Sequence, residues 1–223
     1  MGRAGKSRPA EGQAVTDTAT AWQVQSLLLG YPDAALLERR PLLRAAVTTL
    51  PTPVGTPLGV FLDHLDRTPP IRLAADYVAT FDHRKRFSPY LTYFAYGDTR
   101  KRGMALLRFK HAYRAAGLEL DDSELPDHLA VVLEFGATDA ATRATAHRLL
   151  TEHRAGLELL RLGLRDTDSP WAPVLESVCA TLPPLGRREH DTVARLAAQG
   201  PPEEEVGLQP YGPPEHMPRR GTR

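Results

Sequence analysis

Asp121, Asp122, Glu124 and Asp127 place four carboxylates within seven residues, and His128 follows directly. Such a cluster can receive a basic peptide through charge-assisted hydrogen bonds, each worth about 1.5–3 kcal/mol. The same residues also suit a helix start. Leu125 precedes proline and avoids the α region, Pro126 fits a first helical position, and Asp127 complements the positive helix end. Upstream, Tyr77, Phe81, Tyr90, Tyr93, Phe94 and Tyr96 concentrate rings in a chain that is only 7% aromatic. Core packing is the ordinary use of such rings, yet a tyrosine also suits a groove where the ring packs and the hydroxyl meets a ligand. Asp82, next to Phe81, adds a negative edge.

A basic block separates these two groups. Gly97-Asp98-Thr99-Arg100-Lys101-Arg102-Gly103-Met104 has the outline of a phosphate loop, but five residues lie between its glycines and Met-Ala follows where Lys-Ser/Thr is needed. It reads as a helix start capped by Asp98 or Thr99. A second reading stands beside it: Asp98, Arg100, Lys101, Arg102 and Arg108 form an anion or acidic-partner site beside exposed N–H groups. The run His83-Arg84-Lys85-Arg86 reads as a solvated loop.

Catalytic and metal chemistry find no support. The eight histidines are dispersed, with neither a Glu-x-x-His pair nor His-Glu-x-x-His. Ser88 lacks a nucleophile elbow, and Cys179 reads as a buried structural thiol in a helix. Lys plus Arg number 28 against 27 Asp plus Glu, a balance that argues against nucleic acid as the main ligand. One cysteine excludes an intrachain disulfide and fits a reducing compartment. The first residues lack the apolar core of a signal peptide, and no run approaches the ~20 apolar residues that cross a bilayer. A cytoplasmic location is expected.

The elements that must position these groups are helical, because β-branched alternation is almost absent. Helices are expected over residues 18–29 with Asp17 as N-cap, over 33–50 with a break at Pro41, over 58–66 and over 71–81. Pro51, Pro53, Gly55 and Pro57 read as a stiff surface connection. Residues 88–96 read as a short helix, with a strand as the alternative, 98–116 as a helix burying Leu106, Phe109, Tyr113 and Ala116, and 125–135 as another. Residues 138–164 form one helix or two, with Gly156 as the weak point, and 171–182 and 188–199 complete the set. The fold class is all-α: a single domain of about eight to ten helices over 17–199, with disordered segments at 1–16 and 200–223.

The order of these blocks closely resembles the nitrate reductase molybdenum-cofactor assembly chaperones, the NarJ branch of the TorD-like chaperones. Tyr77, Phe81-Asp82, Leu91-Thr92-Tyr93, the Gly97–Gly103 block and Glu124-Leu125-Pro126-Asp127-His128 carry the resemblance. It extends more loosely to residues 22–33 and 206–211. The family element is Glu…Pro-x-Asp-His, whereas here Pro126 abuts Asp127 directly. The resemblance implies a TorD-like helical domain without catalytic or metal residues and without a cofactor of its own. It implies binding of the N-terminal segment of the catalytic subunit of a respiratory nitrate reductase. It further implies that the subunit is kept open for molybdenum-cofactor insertion and that membrane docking is delayed. Tyr77, Phe81, Asp82, Tyr93, Glu124, Asp127 and His128 are then the client-peptide residues. On this reading Asp127→Lys leaves the fold intact, whereas Phe109→Asp disrupts it. Residues 206–211 form an apolar island that could dock onto the groove. Two alternatives stand beside it: a helical adaptor that docks an acidic protein through residues 100–114, and a carrier or enzyme that itself holds the molybdenum cofactor.

Overall fold

The computed structural model describes residues 11–82, 85–121 and 124–200. Twelve helices occupy them: α1 Glu11–Leu29, α2 Ala34–Glu38, α3 Arg40–Thr48, α4 Thr52–Arg67, α5 Pro70–Phe81, α6 Tyr93–Tyr96, α7 Arg100–Ala115, α8 Leu129–Thr138, α9 Ala140–Glu152, α10 Arg154–Asp166, α11 Ala172–Ala180 and α12 Arg187–Gln199. A 3-10 turn, Lys85–Phe87, follows α5. The described residues contain no strand, only an isolated antiparallel bridge between Tyr90 and His128. The all-α expectation holds, and the helix count exceeds eight to ten because capped breaks subdivide the longer runs.

Asp33 makes one such break, accepting a hydrogen bond from Leu36 N at 2.8 Å, and Pro41 in the first turn of α3 makes the next. The 138–164 run divides at His153 instead of Gly156. Asp139 opens α9 with a reciprocal capping box to Thr142. Other expected boundaries move. α1 begins before Asp17, so that residue lies inside the helix and does not cap it. Pro53, Gly55 and Pro57 belong to α4 and are not a connection; Pro53 sits where a helix has no use for its missing N–H, and Pro57 gives up one intrahelical bond. Residues 1–10, 83–84, 122–123 and 201–223 lie outside the described residues, and with them the expectations for both terminal segments, for His83-Arg84, for Asp122 and for the 206–211 island.

The core forms where α1 lies along α8 and where α4 packs on α11. Trp22, Phe61 and Trp171 are fully buried there, and each indole N–H finds an acceptor. Trp22 Nε1 donates to Thr181 Oγ1 at 2.9 Å, and Trp171 Nε1 donates to Leu28 O at 3.2 Å. Gln25 donates to Ser177 Oγ at 2.8 Å, and Ser177 donates onward to Val54 O at 2.7 Å, so a buried polar thread ties α1, α11 and α4. α7 buries Ala105, Phe109 and Tyr113, while Leu106 is half-buried and Ala116, the C-cap, is exposed. Cys179 is partly buried in α11, where Arg154 Nη1 donates to its Sγ at 3.3 Å and burial pushes the thiol pKa up. No helix among the described residues is long and apolar enough to cross a membrane.

Candidate binding cleft

Residues 88–92 are not helical, with an isolated bridge at Tyr90 and a turn at Leu91-Thr92, and this decides the local architecture. Leu91 N donates to Asp127 O at 3.0 Å and Leu129 N donates to Pro89 O at 2.9 Å, which sets Tyr90 opposite His128. Because residues 125–128 turn to meet this segment, α8 starts at Leu129 with His128 as its N-cap. Pro126 is therefore not a first helical residue. Its carbonyl instead accepts a 2.5 Å hydrogen bond from the buried Tyr113 hydroxyl.

A cavity of about 360 Å³ opens beside this junction, between the end of α1, α5, residues 89–90, the 124–128 turn and α8. Buried rings form its floor. Tyr77 donates its hydroxyl to Leu29 O at 3.1 Å and meets Phe81 at 4.9 Å between ring centres; both rings back onto Trp171 at 5.6 Å. Tyr31 stands edge-on to Tyr77 at 5.5 Å and is exposed at the mouth. Asp82, Glu124 and Glu134 supply the acidic rim. Tyr90 donates its hydroxyl to Glu124 Oε1 at 3.1 Å, and burial together with that carboxylate pushes the phenol pKa up to about 12. Burial likewise raises the Tyr77 pKa above its ordinary value.

His128 is neutral in this setting. Its Nδ1 accepts from Ala130 N at 3.2 Å, so the ring proton sits on Nε2, and burial lowers the imidazole pKa against the opposing pull of Glu124 and Asp127. No described cation pairs with Asp82, Glu124 or Glu134. The cleft therefore combines an aromatic floor with an acidic rim that pairs with no cation among the described residues. A second cavity of about 280 Å³ shares Val131 and Glu134 with it and is floored by Leu118, Leu120 and Phe135. No three His, Cys, Asp or Glu side chains among the described residues come together to hold a metal ion.

The nitrate reductase delta subunit family model matches residues 48–176, more than half of the chain. The chain belongs to that family. Its relatives include the nitrate reductase-like protein NarX of Mycobacterium tuberculosis, 38% identical over 160 residues, which cover 72% of this chain and 24% of NarX. The probable nitrate reductase molybdenum cofactor assembly chaperone NarJ of Bacillus subtilis is 32% identical over 78% of this chain and 94% of its own length. The E. coli K12 chaperone NarJ is 36% identical over 69% of this chain and 65% of its own length. The chain thus spans about a quarter of NarX and nearly all of the Bacillus protein.

In this delta-subunit family member, five of the seven expected peptide residues meet at the cleft: Tyr77, Phe81, Asp82, Glu124 and His128. Tyr93 and Asp127 do not line it. Tyr93 is buried in α6 against Phe94, 5.5 Å between ring centres. Asp127 is fully buried, and its Oδ2 accepts from Thr92 N at 3.0 Å and Thr92 Oγ1 at 2.5 Å. Its carboxylate holds the 88–92 segment in place and does not face solvent.

The five residues of the basic block point in different directions. Asp98 pairs with Lys85 at 2.8 Å and Arg102 at 3.3 Å, the lysine holding its carboxyl below the usual range, and it does not cap α7. Thr99 is the N-cap residue and donates its hydroxyl back to Tyr96 O at 2.8 Å. Arg102 turns inward, donates Nε to Thr92 Oγ1 at 3.1 Å and lies 5.3 Å over the Tyr90 ring. Arg108 pairs with Glu152 of α9 at 2.8 Å, while Arg100 and Lys101 stay on the exposed face. Successive helical residues diverge by about 100°, so a consecutive run cannot converge on one ligand. Sequence reasoning missed Gly30, Tyr31, Val131 and Glu134. Glu134, a lone charge within the apolar LAVVLEFGAT of α8, was the available signal.

Proposed function

We propose that this protein is an assembly chaperone for the catalytic, molybdenum-bearing subunit of a respiratory nitrate reductase. It binds the N-terminal segment of that subunit in the cleft, holds the subunit open for molybdenum-cofactor insertion and delays membrane docking until loading is complete. The names carried by its Bacillus and E. coli relatives support this reading. The observation that carries it is the aromatic-floored cleft with its rim of Asp82, Glu124 and Glu134, next to a second cavity lined by Leu118, Leu120 and Phe135. An amphipathic segment with a basic face is the complement of such a groove. Binding that favours the cofactor-free conformation would itself hold the client open, by a population shift. In this reading the protein works in the cytoplasm, carries out no chemistry and holds no cofactor of its own.

Calorimetric titration with a synthetic N-terminal peptide of the cognate catalytic subunit, against a scrambled control, tests the proposal. Saturable binding at micromolar or better affinity, lost on scrambling, is expected. Equal heats from both peptides would refute peptide recognition in the cleft. The adaptor alternative, docking through residues 100–114, is less well supported, because Arg102 and Arg108 already serve carboxylates and rings of the chain itself.

A further inference from the structure

Every other long helix buries side chains in the core, but α12 buries none. Thr192, Val193 and Leu196 are only half-buried where it packs against α10. Thr192 donates its hydroxyl back to Arg188 O of its own helix at 2.9 Å, and no α12 side chain bonds or ion-pairs with another element among the described residues. The chain reaches α12 through Pro183-Pro184-Leu185-Gly186, which form no helix. A cavity of about 170 Å³ lies between α12 and its seat, where Thr192, Arg195 and Leu196 face Leu91, Phe94 and Gly156. Few buried contacts and no side-chain bonds to the rest mark a unit that opens below the free energy of global unfolding. A helix of 13 residues is marginal in isolation, so α12 should melt as it leaves its seat.

That seat belongs to the segment that also walls the cleft. Tyr90 lines the cleft and donates its hydroxyl to Glu124, while the next residue, Leu91, lines the cavity under α12 together with Phe94. Leu91 N donates to Asp127 O at 3.0 Å, and Tyr93 N donates to Tyr90 O at 3.1 Å. Phe94 rests on Gly156 of α10, where a Cβ would lie 3.1 Å from its ring. We infer that α12 is a strap that opens separately from the rest of the fold, and that its seating keeps the Tyr90 wall of the cleft in place. On the chaperone reading, on which this second step rests, α12 is the release element. The seated strap holds a preorganised cleft, and an open strap loosens it. The coupling is reciprocal, so a bound client in turn holds α12 down by the same factor.

Amide exchange of the full chain, resolved by residue, tests the inference. In the wild type, amides 191–199 are expected to exchange at least about tenfold faster than those inside α10 and α11. Two variants open the strap. Leu196→Asp removes its half-buried anchor, and Ala197→Gly with Ala198→Gly weakens the helix at two exposed positions without touching the seat. Each should speed exchange across 191–199 and at the Leu91 amide, and leave α4 and α11 unchanged. Each should also weaken the cognate client peptide about fivefold in calorimetry, and that peptide should slow α12 exchange in the wild type by about the same factor. Exchange of α12 only together with α10 overturns the inference, as does an open strap with unchanged Leu91 exchange. A client peptide held equally tightly with the strap open overturns it too, while the chaperone reading stands. If Leu91 loosens with α12 but neither wild type nor variants bind the peptide, the chaperone reading fails and the strap stands.

Discussion

Thr92 donates both its backbone N–H and its hydroxyl to one oxygen of Asp127, at 3.0 and 2.5 Å, across 35 residues of sequence. This double contact, backed by Arg102 Nη2 at 3.7 Å, fixes the segment that carries Tyr90 against the start of α8. The acidic rim of the cleft depends on it, because Tyr90 in turn steadies Glu124. Asp127 acts on the cleft by position and not by contact with a ligand.

Replacing Asp127 is therefore a stability experiment. Asp127→Ala leaves two buried Thr92 donors unpaired and removes one of the two carboxylates beside Arg102, a loss of about 3 kcal/mol. Asp127→Asn keeps an acceptor and should cost less. Asp127→Lys puts a cation into the same buried site and is expected to unfold the domain, contrary to what the sequence alone suggests. Urea unfolding of the first two and circular dichroism of the third measure this; a native-like Asp127→Lys protein would show that the site opens to solvent.

The rim behaves differently. Glu124 is half-buried and its loss leaves no buried charge, so Glu124→Gln should keep the unfolding midpoint within about 0.5 kcal/mol. It should weaken the cognate client peptide about tenfold, with the loss shrinking at high salt as exposed electrostatics are screened. Tyr77→Phe separates the two effects at the floor: losing the hydrogen bond to Leu29 O should cost about 1 kcal/mol of stability. Calorimetry and urea titration of both variants at two salt concentrations check the division.

Much of this arrangement could be read from sequence, and the exceptions share a cause. Phe109 and Tyr113 lie on a helical stripe, and Pro41 suits the first turn of a new helix better than the interior of a longer one, so local rules suffice for them. The rings of Tyr77 and Phe81 and the carboxylates of Asp82 and Glu124 were visible by type. Gly30, Tyr31 and Glu134 reach the cleft only because α1 lies along α8, which no local pattern encodes. Asp127 was misplaced for the same reason. An acidic residue after proline and before histidine looks like an exposed helix start, and only the long-range approach of Thr92 turns it inward.

Stability should fall on mild acidification. Burial holds His128 and His153 below the ordinary imidazole value of 6.5, the first against Glu124 and Asp127, the second against Glu152 and Asp127. The unfolded chain then binds more protons than the folded one below 6.5. The associated stability is complete above that value and is lost as pH falls past it toward the depressed folded values. One pH unit below 6.5, each histidine can contribute up to about 1.4 kcal/mol. For His128 protonation also removes the acceptor that caps α8. Urea midpoints at pH 7.5 and 5.5 should differ in this direction, and His153→Gln should narrow the difference. Equal midpoints would place both rings in solvent.

Two glycines make opposite demands on an added methyl group. At Gly136 of α8, a Cβ would lie 2.5 Å from Trp22 Cε3 and 2.7 Å from Ala146 Cβ. The indole cannot retreat easily, since it is fully buried and bonded through Nε1 to Thr181. Helix propensity favours alanine by about 1 kcal/mol, but overpacking a dense core costs about 1–3 kcal/mol, and contacts this short lie at or beyond the upper end. Gly136→Ala is thus expected to destabilise by about 2 kcal/mol. At Gly103 of α7 a Cβ meets nothing within 4 Å, so only the propensity gain remains. Gly103→Ala should stabilise by up to about 1 kcal/mol. Urea unfolding of the pair reads both signs at once. A stabilised Gly136→Ala protein would mean that α1 and α8 are not packed through Trp22, and the cleft they frame would lose its wall.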